Sequence, residues 1–442
     1  MIIKRDLYLN RLIDSMDNGM IKVVTGLRRS GKSFLLFNLF YQYLLNEGVD
    51  DEHIIKFAFD SQDYLSLIHE DILDIDIRKR KVNPKKFMEY INRKVTDNKK
   101  YYLLLDEIQY LDSFEAVLNG YLRKDNLDVY VTGSNAKFLS KDIITEFRGR
   151  GWEIHLNPLS FAEFRQAFNG SNDEAYREYS LYGGLPKIMD FKDDESKVRY
   201  LNNIFEETYI KDILDRNVIK NPKELSELLD FLASSIGSLT NPKKLSDTFQ
   251  SIKKVKIHSD TINRYIEYFV DSFLISDPKR YDINGKAYIN SPLKYYFSDL
   301  GLRNARLNFR EIEQPRIMEN IVYNELMVRG YNVDVGVVEL YEQNASGKSV
   351  LKKTEVDFVC NQADTRYYIQ VAFTIDSEEK IAQEQKSLLH INDAFKKIII
   401  VKDAVKPHYN NYGVFIIGLY DFLLDQNSLN IKWLQNNWKS LG

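Results

Sequence analysis

The sequence predicts an α/β protein whose first part is a doubly wound parallel sheet, and three observations predict it. From residue 20 onward, short apolar runs alternate with longer amphipathic stretches, as in strands separated by helices that cover both sheet faces. The first run, Met20–Thr25, leads into the glycine-containing stretch Gly26-Leu27-Arg28-Arg29-Ser30-Gly31-Lys32-Ser33. A later run, Tyr101–Leu105, ends in two carboxylates, Asp106 and Glu107.

The elements follow in order. Strands are expected at Met20–Thr25, Ile54–Phe59, Tyr101–Leu105 and Val129–Thr132, with helices at Ser33–Asn46, Pro84–Thr96 and Ser113–Lys124 between them. Residues 160–217 turn purely helical, in Ser160–Phe168, Asn172–Tyr182 and Lys197–Arg216, broken by Gly183-Gly184-Leu185-Pro186. That pattern predicts a small helical lid. Three short amphipathic helices follow, Lys223–Ile236, Lys243–Ile252 and Ser259–Phe273, then Ile275–Tyr281, a turn at Asn284-Gly285 and Lys286–Asn290. Three helices and a hairpin suggest a winged helix. Residues 305–442 return to mixed α/β, with a helix near Pro315–Gly330 and strands near Tyr331–Leu340, Glu355–Cys360, Tyr367–Phe373 and Lys397–Val401. The expected domains are therefore 1–159, 160–217, 218–304 and 305–442.

Composition bounds the function. At 442 residues the chain exceeds one ordinary core, and 44% hydrophobic residues with 29 Tyr and 25 Phe describe a globular protein rather than a disordered one. A net charge of −3 leaves any attraction to nucleic acid to a local patch. The single cysteine, Cys360, excludes intramolecular disulfides and a cysteine-based zinc site. The N-terminal residues lack a signal-peptide core, and no apolar run approaches the roughly 20 residues that span a bilayer. The expectation is a cytoplasmic protein with no membrane segment.

Gly26 to Ser33 fits G-x-x-x-x-G-K-[ST], the phosphate-binding P-loop, and lies between an apolar strand and an apolar helix, where the mechanism requires it. Small residues let successive backbone N–H groups face phosphates at a helix N-terminus, which Phe34 continues. Lys32 would reach the β- and γ-phosphates and Ser33 would place its hydroxyl on Mg²⁺. Asp106 would hold Mg²⁺ through water, and Glu107 would polarise the attacking water. The strand at Val129–Thr132 runs into Gly133-Ser134-Asn135, so Ser134 or Asn135 could orient that water at the ligand-facing end of the sheet. ATP with Mg²⁺ is the expected ligand.

This set resembles a prokaryotic AAA+ ATPase family whose P-loop domain precedes a C-terminal domain of unknown function. The resemblance rests on Gly26 to Ser33, Leu105-Asp106-Glu107-Ile108-Gln109, Thr132-Gly133-Ser134-Asn135, Pro158-Leu159-Ser160-Phe161-Ala162-Glu163-Phe164 and Tyr182-Gly183-Gly184-Leu185-Pro186, and covers nearly the whole chain. It implies ATP binding and hydrolysis. It also implies that Arg148 or Arg150, in Phe147-Arg148-Gly149-Arg150-Gly151, stabilises γ-phosphate charge in cis or from a neighbouring subunit of a homo-oligomer; a solvated basic loop is the alternative. Gly184-x-Pro186 resembles the signature of signal-transduction NTPases whose proline lies against the nucleotide; a helix-breaking turn explains it equally well.

In residues 241–264, Lys243, Lys244, Lys253, Lys254, Lys256 and Arg264 outnumber Asp247 and Asp260, the footprint of a DNA-backbone binder. Glu267 and Asp271 oppose it, so a protein-docking role stays open. Ile262, Ile266, Phe269, Val270 and Phe273 are the expected inward face of the third helix. The last domain resembles the restriction-endonuclease-like fold in degenerate form. Glu325 and Asp357 stand for its acids, Gln370-Val371-Ala372 lacks its carboxylate and lysine, and Lys380 or Lys386 are the nearby substitutes. Asp357 pairing with Arg329 or capping a turn, and Glu325 solvated on its helix, is the structural alternative. The preferred function is an ATP-driven switch or remodeller acting on a nucleic-acid or protein partner. Its rivals are an ATP-dependent nuclease and a non-hydrolysing scaffold.

Overall fold

Both parities of strand β3, Tyr101–Asp106, are buried in the computed structural model: Tyr101, Leu103 and Leu105 belong to one core and Tyr102 and Leu104 to another. A strand wet on one face would alternate, so this strand lies inside a sheet covered on both sides. Residues 2–70, 81–133, 149–210, 213, 214, 217, 219, 221–253, 257–290, 292–343 and 348–430 are described. The chain falls into two units, Met1–Pro158 with Asp271–Phe273, and Leu159–Val270 with Leu274–Gly442.

In the first unit the five strands are β1 (Ile21–Thr25), β2 (Ile54–Ala58), β3, β4 (Leu127–Thr132) and β5 (Gly151–His155). They run parallel in the order β2-β3-β4-β1-β5. One face is covered by helices Pro84–Lys94 and Phe114–Tyr121 through Phe87, Ile91, Val117 and Leu118. The other is covered by helix Asp6–Asp14, through Tyr8 and Leu12, and by the helical run after the P-loop, through Leu35, Leu36, Phe40 and Leu44. That run is α-helical over Lys32–Phe34, widens to a π-type stretch over Leu35–Phe40 and is α-helical again over Tyr41–Asn46. Because β4 lies between β1 and β3, the glycine loop and the Asp106-Glu107 pair sit at the same end of the sheet with one strand end between them.

The second unit begins with helices Phe161–Ala167 and Asn172–Tyr182, each opened by a reciprocal serine-glutamate cap, Ser160 with Glu163 and Ser171 with Glu174. Gly183, at φ +74°, ends the second helix and the chain turns through Gly184 into Pro186–Asp190. Helices Asp194–Ile204, Pro222–Ser234, Pro242–Lys253 and Ser259–Asp271 follow. On the last of these, Ile262, Ile266 and Phe269 point inward as expected and Tyr265 joins them.

The hairpin pairs differently from the sequence expectation. Strand β6 (Ile275–Ser276) stops early and pairs with β9 (Tyr296–Phe297), while Thr240 bridges Leu293. The hairpin itself is β7 (Arg280–Asp282) with β8 (Ala287–Ile289), and β7 also pairs in parallel with β10 (Asn332–Gln343). It thereby extends an eight-stranded mixed sheet whose other strands are β11 (Ser349–Gln362), β12 (Thr365–Ala372), β13 (Lys396–Val401), β14 (His408–Tyr409) and β15 (Phe415–Gly418). The strand pairing thus crosses the expected boundary at residue 304. The reason is apolar: Ile283 and Tyr281 join the core of that sheet, and Gly336, lacking a side chain, lets Ile283 approach. Among the described residues no helix is long and apolar enough to cross a membrane.

Candidate nucleotide site

The P-loop is shaped by close backbone approaches. A Cβ on Gly26, at φ +129°, would stand 2.1 Å from the carbonyl oxygen of Leu156, so only glycine lets β1 leave the sheet there. Gly31, at φ +100°, starts the helix at Lys32, and Arg29 also has a positive φ. Ser30 N–H donates to the Leu27 carbonyl, closing the loop. Leu27 and Ser30 are buried, Arg28 is half-buried, and Arg29, Ser33 and Phe34 are exposed.

Lys32 is buried, and its ammonium donates to the carbonyls of Gly26 and Leu27, each at 3.0 Å. Burial lowers its pKa to about 8, with Glu107 and Asp106 pulling the other way. This is a cation held by loop carbonyls rather than by a carboxylate. Asp106, at the end of β3, is pushed up to about 6 by burial, although hydrogen bonds from Thr132 and Ser33 favour its charged form. Glu107 follows at φ +52°, turning out of the strand, and its side chain accepts from Gln109 Nε2.

Thr132, at the end of the intervening strand, ties these groups together. Its hydroxyl donates to Asp106 Oδ1 and accepts the Glu107 backbone N–H at 3.2 Å. The motif around Thr132 points to its neighbours Ser134 and Asn135 for the polar role; among the described residues it is Thr132 that touches both acids. The structure therefore brings together Gly26, Gly31, Lys32, Ser33, Asp106 and Glu107. Ser134, Asn135 and Arg148 lie outside the described residues. Arg150 is exposed on the turn before β5, its carbonyl taking the Ile21 N–H. Pro186 belongs to the second unit.

An AAA domain model matches residues 18–165, and a domain of unknown function (DUF8612) matches residues 173–313. An uncharacterized protein of Haemophilus influenzae is 35% identical over 429 residues, covering 96% of this chain and 99% of the relative. The chain belongs to this family of AAA-domain proteins. The uncharacterized protein MJ1544 of Methanocaldococcus jannaschii is also similar, 27% identical over 427 residues, 91% of this chain and 87% of its own. Among solved structures, the Aeropyrum pernix ORC1 protein in complex with DNA superposes with a TM-score of 0.32 at 11% identity, covering 71% of this chain and 94% of its own. Cdc6p from Pyrobaculum aerophilum gives 0.28 at 11%, over 73% and 96%. At that overlap these two neighbours add nothing to the reading of the site.

The acids of the C-terminal sheet are arranged otherwise than expected. Glu325 is not solvated: it is buried and pairs with Arg329 at 2.8 Å. Arg329 in turn donates to the carbonyls of Phe422, Asp425 and Gln426. Lys380 pairs with Glu384 at 2.9 Å, which also accepts from Gln370 Nε2 at 3.5 Å, whereas Lys386 pairs with Glu342. The cation facing Asp357 is Lys294, 4% exposed, at 3.8 Å; it also binds Glu319 at 2.8 Å and Glu355. Tyr296 donates to Glu319 at 2.6 Å, and the Val371 N–H to Asp357 at 2.8 Å. Burial pulls the Lys294 pKa down, but Glu319, Asp357 and Glu355 outweigh it and hold it above the ordinary lysine value. Burial pushes Asp357 and Glu355 up. Among the described residues, no group of three or more His, Cys, Asp or Glu is arranged to hold a metal ion.

Proposed function

We propose that the protein binds ATP with Mg²⁺ in the Gly26–Ser33 loop, hydrolyses it, and uses the nucleotide state to switch or remodel a nucleic-acid or protein partner. The observation that carries the reading is the Asp106–Thr132–Glu107 arrangement beside the loop: a hydroxyl-held carboxylate next to Ser33, with a second carboxylate turned out of the same strand end. The donor set fits the group expected: a hydroxyl and a carboxylate are hard oxygen ligands of the kind that hold Mg²⁺. When bound, Mg²⁺ supplies charge that neutralises the phosphates. Lys32 would exchange its two carbonyl partners for phosphate oxygens, a trade that restores the full charge its burial disfavours. Glu107 would take the proton of the attacking water, aligned through the Thr132 contact and Gln109.

The second unit is the output in this reading. Its three helices with Thr240, β6 and β9 support a winged helix whose hairpin is built into the C-terminal sheet. Lys243, Lys244 and Arg264 are exposed, which supports a DNA-facing surface, while exposed Glu267 supports a protein partner. Steady-state ATPase rates with duplex DNA, single-stranded DNA, RNA and no additive test the reading. Stimulation by one nucleic acid names the partner class; no turnover under any condition leaves the non-hydrolysing scaffold.

A further inference from the structure

The P-loop works only if its amides point at the phosphates, and in a trans peptide the carbonyl then points the opposite way. Each outward carbonyl needs a donor, because a buried carbonyl left unpaired keeps the cost of its lost hydration. The Gly31 carbonyl takes the Leu35 N–H of the following helix. For Ser30, whose peptide bond carries the Gly31 amide, the partner comes from far outside the motif: the Arg5 guanidinium donates to its carbonyl at 3.1 Å. Arg5 is 4% exposed and lies at the start of helix Asp6–Asp14. Its second nitrogen donates to the Asn157 carbonyl at 2.7 Å, and its plane lies over the Tyr8 ring at 4.7 Å. Asn157 adjoins Leu156, the residue against which Gly26 packs, so one guanidinium braces the loop against the end of β5.

We propose that Arg5 is a positioning residue for the nucleotide site: by holding the Ser30 carbonyl outward it aims the Gly31 N–H, the amide preceding Lys32, at the phosphates. The inference rests on the nucleotide reading above. Arginine suits the task because its planar fork serves two carbonyls at once, whereas lysine offers a point charge to one.

The test measures fluorescent ATP-analogue affinity, KM and kcat on the full chain carrying Arg5→Ala, Arg5→Lys or Tyr8→Phe, with the melting temperature of each without nucleotide. Arg5→Ala should weaken binding about 10-fold and raise KM, with kcat at saturation within about threefold of the parent, since the loop only orients. Arg5→Lys should recover part of the loss. Tyr8→Phe, which removes the hydroxyl beside Asn157 but leaves the Arg5 bonds to the Ser30 and Asn157 carbonyls, should bind like the parent. Parent-like affinity in folded Arg5→Ala, or an equal loss in Tyr8→Phe, overturns the proposal in favour of packing. If Arg5→Ala does not fold, Arg5→Gln is read in its place by the same criterion. Failure of the wild-type chain to bind the analogue at all overturns the nucleotide reading instead.

Discussion

The loop end of the five-stranded sheet and the Lys294 cluster of the mixed sheet each bury one lysine near carboxylates, and hold it in opposite ways. Lys32 donates to two peptide carbonyls and its pKa falls; Lys294 donates to Glu319 and Glu355, lies near Asp357, and its pKa rises. Carbonyls do not neutralise a charge, so Lys32 keeps an unmet electrostatic demand that a triphosphate would satisfy. Three carboxylates do neutralise one. Lys294 fills its site, and removing it would strand the acids. The same residue types therefore describe a site poised for a ligand in one region and a structural ion cluster in the other, and the partner atoms decide which.

The largest effect should fall at the first region. Glu107→Gln should keep ATP affinity within a few-fold while turnover drops by about 10²–10⁴, the usual range for losing a positioned general base. Single-turnover hydrolysis at the parent rate would remove Glu107 from its role and break the contrast on that side.

The second region answers to stability rather than turnover. Lys294→Met should cost about 3–5 kcal/mol in chemical denaturation at pH 8, because it leaves buried carboxylates without their cation. The deficit should shrink on acidification, and the sign follows from the raised pKa values of Glu355 and Asp357. An acid whose folded pKa lies above its unfolded value costs stability once the pH rises past the folded pKa, and costs nothing below the unfolded value near 4. At pH 5 the variant should therefore lie closer to the parent than at pH 8. A deficit that grows on acidification would show that Lys294 does not compensate these acids. Wild-type protein should also leave duplex DNA intact with Mg²⁺ or Mn²⁺; cleavage that disappears in Asp357→Ala would turn the cluster from structural to catalytic.

Asp299 sharpens the contrast with a carboxylate held by backbone amides. It accepts N–H groups from Gly184 at 2.7 Å and Leu302 at 3.0 Å, and burial raises its pKa to about 6 despite them. Asp299→Asn turns one acceptor into a donor that faces an N–H, which should cost about 1–3 kcal/mol near neutral pH. Between pH 4 and 6 the folded parent retains a proton that the unfolded chain has released, so parent stability falls as pH rises through that window. The Asn variant should lack that component of the slope; identical slopes would place the titration elsewhere.

The nucleotide loop is legible in the sequence because its chemistry is contiguous: strand, glycines, lysine and helix follow one another in Met20–Asn46. Asp106 and Glu107 are legible for the same reason. Thr132 is not, because its contact with both acids depends on β4 lying between β1 and β3, and strand order is not written locally. The motif pattern points to Glu325 as the helix acid, yet it is Glu319, six residues earlier and about 120° away around the helix, that meets Lys294. A signal is present all the same: Lys294 is a lone charge in the apolar run Leu293–Phe297, and Arg5 opens a helix whose Tyr8 and Leu12 are buried. A charge in such a setting must find a partner, and asking which one points to both.

The smallest expected effect concerns exposed cations, for which neither kind of burial applies. Lys243 and Lys244 lie on helix Pro242–Lys253 and Arg264 on helix Ser259–Asp271, all open to solvent; Lys254 and Lys256 lie outside the described residues, and the Lys253 side chain is not described. Solvated charges gain little from one another, but phosphates release counterions when cations approach them, so the effect of removing a cation appears in the salt dependence. Replacing Lys243, Lys244 and Arg264 together by Ala should weaken duplex binding equally across unrelated sequences. It should flatten the slope of log affinity against log salt by about 0.9 for each phosphate that is no longer neutralised. Thermal stability should be unchanged, because none of the three is buried. A sequence-dependent weakening would mean that these side chains reach base edges rather than the backbone. If the wild-type protein binds no duplex even at low salt, the basic face does not serve DNA, and Glu267 beside it then fits the protein partner better.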